Sequence, residues 1–358
     1  MTPSPFPLDI YAGPTAFRQL QEQGWNIDLF GLLLGASGGP KWLSLCQLDM
    51  ALNETLLSHL KSPLVALGSS IGCWRHAYLA QSNPQAAMEA FLDPYIHQTY
   101  ETKPTTREVS EVTRTMLDDL LGREGKASIL EERRLKTRIV TARAPLKVSP
   151  AHPVRVGTHM LAAATGNALS RNQLQKRFQR VVFHSGAAPE EMLPLAGFNT
   201  LAVPLTESTI APAIHASSSI PAVLTGESSI AGAPEGHYWD GGIIDYHFDL
   251  TAYSGEKLVL YPHFTQTITP GWFDKMHKRR HLDPRQIDKL VLIAPSQRYI
   301  AKLPHSKIPD RSDFAKFSTD MRQRYWHTVV ERGTQLAEAW LKVVNDPNPV
   351  RYVERYCS

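Results

Sequence analysis

Long apolar runs are missing from this 358-residue chain, and cysteines are nearly so. No stretch approaches the roughly 20 consecutive apolar residues that a helix needs to cross a bilayer, so any membrane contact is expected to be peripheral. The N-terminal MTPSPFPLDIYAGPTAF has neither the basic start nor the apolar core of a secretory signal. The three cysteines, Cys46, Cys73 and Cys357, form no CxxC pair and are odd in number, so no complete set of internal disulfides can use them. A reducing cytoplasm is the expected setting. Excess charge is also lacking: 38 Lys+Arg against 34 Asp+Glu leave a formal +4, too little to imply nucleic acid without clustering. Clusters do occur in ERRLKTR (132–138) and KMHKRRH (275–281). Each reads first as a solvated face and second as a patch for anionic lipid head groups. Repeats and low-complexity linkers are absent, and 42% apolar residues suffice for one large core.

Six apolar runs read as buried strands: LFGLLLG (29–35), LVALG (64–68), RIVTA (138–142), RVVFHS (180–185), KLVLY (257–261) and KLVLIAP (289–295). Helix-like stretches such as 41–60 and 158–178 lie between most of them. This alternation predicts a three-layer α/β/α fold on a central, mostly parallel sheet. A single domain over 1–358 is expected, with a charged helical insertion near 83–135 and a C-terminal helical extension near 310–345. The extension carries Phe314, Phe317, Met321, Val329, Leu336, Trp340 and Val344 at roughly helical spacing, which reads as core packing rather than membrane insertion.

Chemistry is concentrated where these runs end. The segment ALGSSIGCW (66–74) places GxSxG at a strand-to-helix turn, the frame of a strained elbow that exposes its central serine, Ser70, and leaves Ser69 as the variable position. An ordinary Gly/Ser turn is the competing reading. Upstream, GLLLGASGGPKW (31–42) ends a strand in a glycine loop, with Pro40 suited to a first helical turn. A phosphate-binding loop would need glycine at position 40 and Ser or Thr at 42, where Pro40 and Trp42 stand. An oxyanion hole made by the Gly38 and Gly39 amides is the other option. Downstream, HYWDGGIIDY (237–246) sets Asp240 at the edge of apolar structure, where a carboxylate needs a hydrogen-bond partner such as a serine hydroxyl.

In this order the pieces resemble the patatin-like phospholipase family. Ser37-Gly38-Gly39-Pro40-Lys41-Trp42 is similar to the family's GGGx[KR]G loop, Gly68-Ser69-Ser70-Ile71-Gly72 to its GxSxG, Ala216 to Pro221 to its ASxxxP, and Asp240-Gly241-Gly242 to its DG[GA]. The likeness spans about residues 30–250. It implies a Ser70–Asp240 dyad, an oxyanion hole at Gly38 and Gly39, and supporting positions at Ser37, Lys41, Gly68, Gly72, Gly241 and Gly242. The implied activity is carboxylic ester hydrolysis of phospholipid or other acyl lipids, with no metal or other cofactor and no nucleic acid partner. Ser37 and Trp42 depart from the family's glycines, and Trp42 is expected to narrow the acyl groove.

Two alternatives stand beside this reading. His76, His215, His237, His247 and His263 lie near the motifs, and His247 or His263 would complete a Ser–Asp–His order or the Ser–His pair of a transacylase. A non-catalytic lipid-binding relative is the other, although such a scaffold has no need of both Ser70 and Asp240.

Overall fold

The computed structural model describes residues 6–100, 103–186 and 198–355; Cys357 and residues 101–102 of the expected insertion fall outside them. Among the described residues eleven strands make one sheet: β1 (Leu8–Ala12), β2 (Phe30–Gly35), β3 (Leu64–Ser69), β4 (Leu135–Ala144), β5 (Gln179–His184), β6 (Thr200–Pro204), β7 (Glu227–Ser228), β8 (His237–Asp240), β9 (Leu258–Pro262), β10 (Leu290–Pro295) and β11 (Val353–Arg355). Their order is β11-β1-β10-β9-β2-β3-β4-β5-β6, with β8 also on β4 and β7 on β8. The centre, from β10 through β9, β2 and β3 to β4, is parallel. β1–β10, β4–β5 and β4–β8 are antiparallel.

All six apolar runs are strands. Every residue of β9 and β10 is buried, the pattern of strands covered by helices on both faces of a three-layer α/β/α molecule. The short outer strands escaped the sequence pattern: LDIYA alternates between buried and half-buried positions, and HYWD spans only four residues.

Segment 83–135 forms helices Pro84–His97 and Thr106–Leu130, the second opened by a Thr105–Glu108 capping box, and gives way to β4 at Leu135. The C-terminal stretch forms Asp313–Lys316, Thr319–Arg332 and Thr334–Asn345. Its apolar stripe divides: Val329, Leu336 and Trp340 are fully buried, while Phe314 and Met321 remain 39% and 48% exposed. The basic runs are tied to the protein in part, with Lys278 and Arg279 left exposed. Arg134 bonds the Leu79 and Gln81 carbonyls and Arg138 that of Ser185, while Arg280 holds buried Asp274.

One strand sets the distance between the two motif-bearing segments. β5 occupies one edge of β4 over Arg138–Arg143, so β3 and β8 share the other edge end to end. β3 runs parallel to β4 and its last residue, Ser69, stands opposite Val140; β8 runs antiparallel and its last residue, Asp240, stands opposite Thr141. Two chain segments 170 residues apart therefore finish at the same step of the sheet.

Candidate active site

Ser70 links the end of β3 to the helix Ile71–Leu79 in a single residue, with φ 55° and ψ −129°. Residues other than glycine rarely adopt this conformation, at a cost of about 1–3 kcal/mol. The surroundings enforce it. A Cβ on Gly68 would lie 2.8 Å from the Cys73 nitrogen, and one on Gly72 only 1.9 Å from the Gly35 carbonyl oxygen. The Ser70 N–H donates to Ser217 Oγ at 2.9 Å, and Ser217 Oγ donates to the Val140 carbonyl at 2.6 Å. Ser217, the first of three serines in segment 216–221, thus stitches the elbow to β4. Its neighbour Ser69 is wholly buried and accepts from Ser37 Oγ at 2.9 Å.

The Ser70 hydroxyl donates to Asp240 Oδ2 at 2.9 Å. The other oxygen of Asp240 accepts the Gly242 N–H at 2.7 Å, and the Asp240 N–H donates to the Ser219 carbonyl at 2.9 Å. Glycine follows the aspartate for a steric reason: a Cβ on Gly241 would meet the Val140 carbonyl at 2.2 Å, and one on Gly242 would meet Ser37 Oγ at 2.6 Å. Burial pushes the Asp240 carboxyl up to about 6, against the pull of its bonds from Ser70 and Gly242. It is ionised at neutral pH and close to the range in which a carboxylate exchanges protons readily.

Two buried ion pairs brace the site. Arg75, on the helix after Ser70, grips Asp49 with two bonds of 2.8 and 2.6 Å, and Tyr78 donates to the same carboxylate. Arg180 on β5 grips Asp245, just beyond the Asp240 turn, with bonds of 2.6 and 2.7 Å. Forked guanidinium–carboxylate pairs fix orientation as well as position.

The loop after β2 faces the same serine. Gly39 has φ +54° and opens the short helical turn Gly39–Ser44. Among the described residues, the Gly38 and Gly39 N–H groups donate to no protein acceptor. Lys41 lines the cavity beside them. Trp42 does not: contrary to the sequence expectation, it is fully buried, stacks on Phe91 and meets Tyr95 edge-on, so it narrows no groove.

Four of the five neighbouring histidines are engaged elsewhere, and the fifth, His76, is buried with its Nδ1 unpartnered among the described residues. His215 pairs with Glu227 at 2.7 Å, His237 bridges Ser228 and the Thr225 carbonyl, and His247 and His263 accept the Thr269 and Thr265 amides. None bonds Ser70 or Asp240. Burial holds His76 and His263 down at about 3, so both are neutral at ordinary pH.

Ser70 stands between two cavities. A polar one of about 230 Å³ is lined by the Ser37–Gly39 loop, Asp240 and three cations, Lys41, Lys275 and Arg311. A larger one of about 790 Å³ is mostly apolar, with Trp74, Tyr95, Met116, Val223, Leu224 and Phe314 among its walls. Sequence reasoning missed Lys275 and Arg311. Lys275 belongs to a basic run in which nothing separates the one lysine at a cavity from its solvated neighbours, and Arg311 carries no motif.

Comparison with known proteins adds little. No protein-family model and no curated protein matches the chain. Among solved structures it is similar to the type III effector protein ExoU, at 16% identity and a TM-score of 0.30 over 89% of this chain and 54% of that one. The ExoU–SpcU complex of the Pseudomonas aeruginosa type III secretion system gives 15% and 0.29 over 93% and 52%. The chain spans about half the length of these solved chains, and a likeness this weak carries no functional conclusion.

Proposed function

We propose that this protein is a serine acyl-ester hydrolase of the patatin-like kind, acting on acyl lipids. The observation that carries the reading is the 2.9 Å bond from Ser70 Oγ to the buried carboxylate of Asp240, at a point where an apolar groove meets a polar cavity. In this mechanism the acyl chain lies in the groove and Asp240 takes the Ser70 proton as Oγ attacks the ester carbonyl. Negative charge then develops on the carbonyl oxygen, facing the Gly38 and Gly39 amides. Collapse expels the alcohol, which takes the proton from Asp240, and water repeats the cycle on the acyl-enzyme. Acyl transfer through a Ser–His pair has less support, because no histidine bonds the serine.

Peripheral contact with an anionic membrane belongs to the same proposal. Met276, 88% exposed, sits beside Lys275, with exposed Lys278 and Arg279 close by in the chain. Sedimentation with anionic vesicles, reversed by salt, is the expected behaviour.

The deciding experiment labels the protein with a fluorophosphonate and maps the adduct. Label on Ser70, with p-nitrophenyl butyrate hydrolysis lost by about 10⁴-fold in Ser70→Ala and largely kept in Ser69→Ala, is the expected result. Full activity in Ser70→Ala would overturn the reading.

A further inference from the structure

The polar cavity carries more positive charge than its own carboxylates can answer. Lys41, Lys275 and Arg311 line it against Asp240 and Asp310. Asp240 is engaged by Ser70 and Gly242, and Asp310 by the Ser312 amide at 2.7 Å and by Lys307 at 3.0 Å. Among the described residues, none of the three cavity cations has a carboxylate within ion-pair distance. Lys275 keeps part of its surface in solvent; partial removal of its ammonium from water, then the charges of Lys41 and Arg311, lower it to about 8. Three cations gathered at one cavity without a paired carboxylate gain from an anion placed among them.

The aromatic residues point the same way. A head group capped by a quaternary ammonium is recognised by rings that surround the cation. Tyr246 and Trp272 stand at this cavity, but the protein's own Lys275 occupies them, with Nζ 4.0 Å from the Tyr246 ring centre and 5.8 Å from that of Trp272. The larger apolar cavity, which meets the polar one at Ser70, Gly39, Ile220, Arg311 and Ser312, suits the acyl chain, and on the hydrolase reading the polar cavity is left for the alcohol side of the ester.

We propose that this cavity selects ester substrates whose alcohol portion ends in an anion, a phosphomonoester or a carboxylate, bound by Lys275 and Arg311, and disfavours head groups capped by a cation. This specificity rests on the hydrolase reading above; the anion site itself does not. Arg311 supplies a planar fork that fits either oxyanion, and Lys275 a point charge. Lys41, beside the Gly38–Gly39 loop, adds to the field without being needed as a ligand.

The test compares octanoyl esters of glycerol, glycerol 3-phosphate, glycerate and glycerophosphocholine below their aggregation limits. The expected kcat/KM is about tenfold or more higher for one or both anionic esters than for the glycerol and phosphocholine esters, as one charge-assisted contact provides. In Lys275→Gln and Arg311→Gln that ratio collapses toward one, whatever the absolute rates. A second arm needs no turnover: inorganic phosphate and acetate are titrated calorimetrically into Ser70→Ala, with and without Lys275→Gln and Arg311→Gln together. Binding that weakens at least about tenfold on losing both cations supports the site, and the stronger of the two anions identifies phosphate or carboxylate as its ligand. If the wild type hydrolyses none of the four esters, the calorimetric arm alone decides, and if it also leaves p-nitrophenyl butyrate intact the hydrolase reading fails. An unchanged substrate ratio in the variants, or anion binding that is absent or indifferent to both cations, overturns the proposal.

Discussion

Gly72 and Gly35 touch backbone to backbone: a Cβ on Gly72 would fall 1.9 Å from the Gly35 carbonyl oxygen, and one on Gly35 2.7 Å from that of Gly72. The helix after Ser70 is thereby pressed against β2. Gly72→Ala must push that helix away, because backbone cannot rotate aside as a side chain can. A loss of about 3 kcal/mol or more is expected, with activity falling alongside. Gly157→Ala is the control, since nothing lies within 4 Å of its Cβ and a helical alanine there should add about 0.5–1 kcal/mol. Urea unfolding midpoints of the two variants check both signs.

Asp240→Asn should separate activity from stability. The amide cannot accept the serine proton, so ester hydrolysis should drop by about 10² to 10⁴. The folded protein holds the Asp240 proton up to about 6, above its unfolded value of 3.8, so the native state binds more protons between those limits. Wild-type stability from this group therefore falls as pH rises through that window. Asparagine escapes the cost of a buried charge and should be more stable above pH 6 by up to about 3 kcal/mol, with no advantage below pH 4. Urea midpoints at pH 4 and 7 measure it; an Asn variant less stable at pH 7 would contradict the burial argument.

Histidines set the opposite slope. His76 and His263, buried and held at about 3, bind fewer protons folded than unfolded, where imidazole titrates near 6.5. Their contribution is complete above pH 6.5 and is lost as pH falls toward 3. At pH 5 each should cost the fold about 2 kcal/mol relative to pH 7. Urea midpoints should fall accordingly, and a midpoint flat over that range would show that these rings open to water without unfolding.

The apolar groove makes a chain-length prediction. Ala315 lines it and is exposed, so tryptophan fits without disturbing the core. Ala315→Trp should lower the ratio of kcat/KM for a hexadecanoyl ester over a butanoyl ester by about tenfold, the worth of a few methylenes denied burial. An unchanged ratio would place the acyl chain elsewhere.

What the sequence reveals and what it hides follow from the same physics. Strands buried on both faces must be apolar throughout, which is why KLVLIAP and LFGLLLG announce themselves. β1 and β8 have too few residues or too mixed a pattern to stand out, and β8 carries Asp240. Ser70 is legible because its turn needs glycines on either side. The distinction from Ser69 is a matter of register: one hydroxyl faces Asp240 and the other faces Ser37. Lys275 and Arg311 are hidden because charge alone does not tell a cavity from solvent. Trp42 misled for the related reason that a motif position does not say which way its side chain points.

Sharing one edge of β4 also dictates when the site comes into being. β3 can sit between β2 and β4 once residue 144 has been made, while β4 beyond Val140 still lacks a partner on the edge it shares with β3. Its partner carboxylate arrives on β8, nearly a hundred residues later in synthesis, and must find the unoccupied stretch of β4 from Thr141 to Ala144. Until that docking Ser70 lacks its hydrogen-bond partner Asp240. On the hydrolase reading, a chain shorter than residue 240 is therefore inert toward esters, and the cavity walls at Lys275, Arg311 and Phe314 arrive later still.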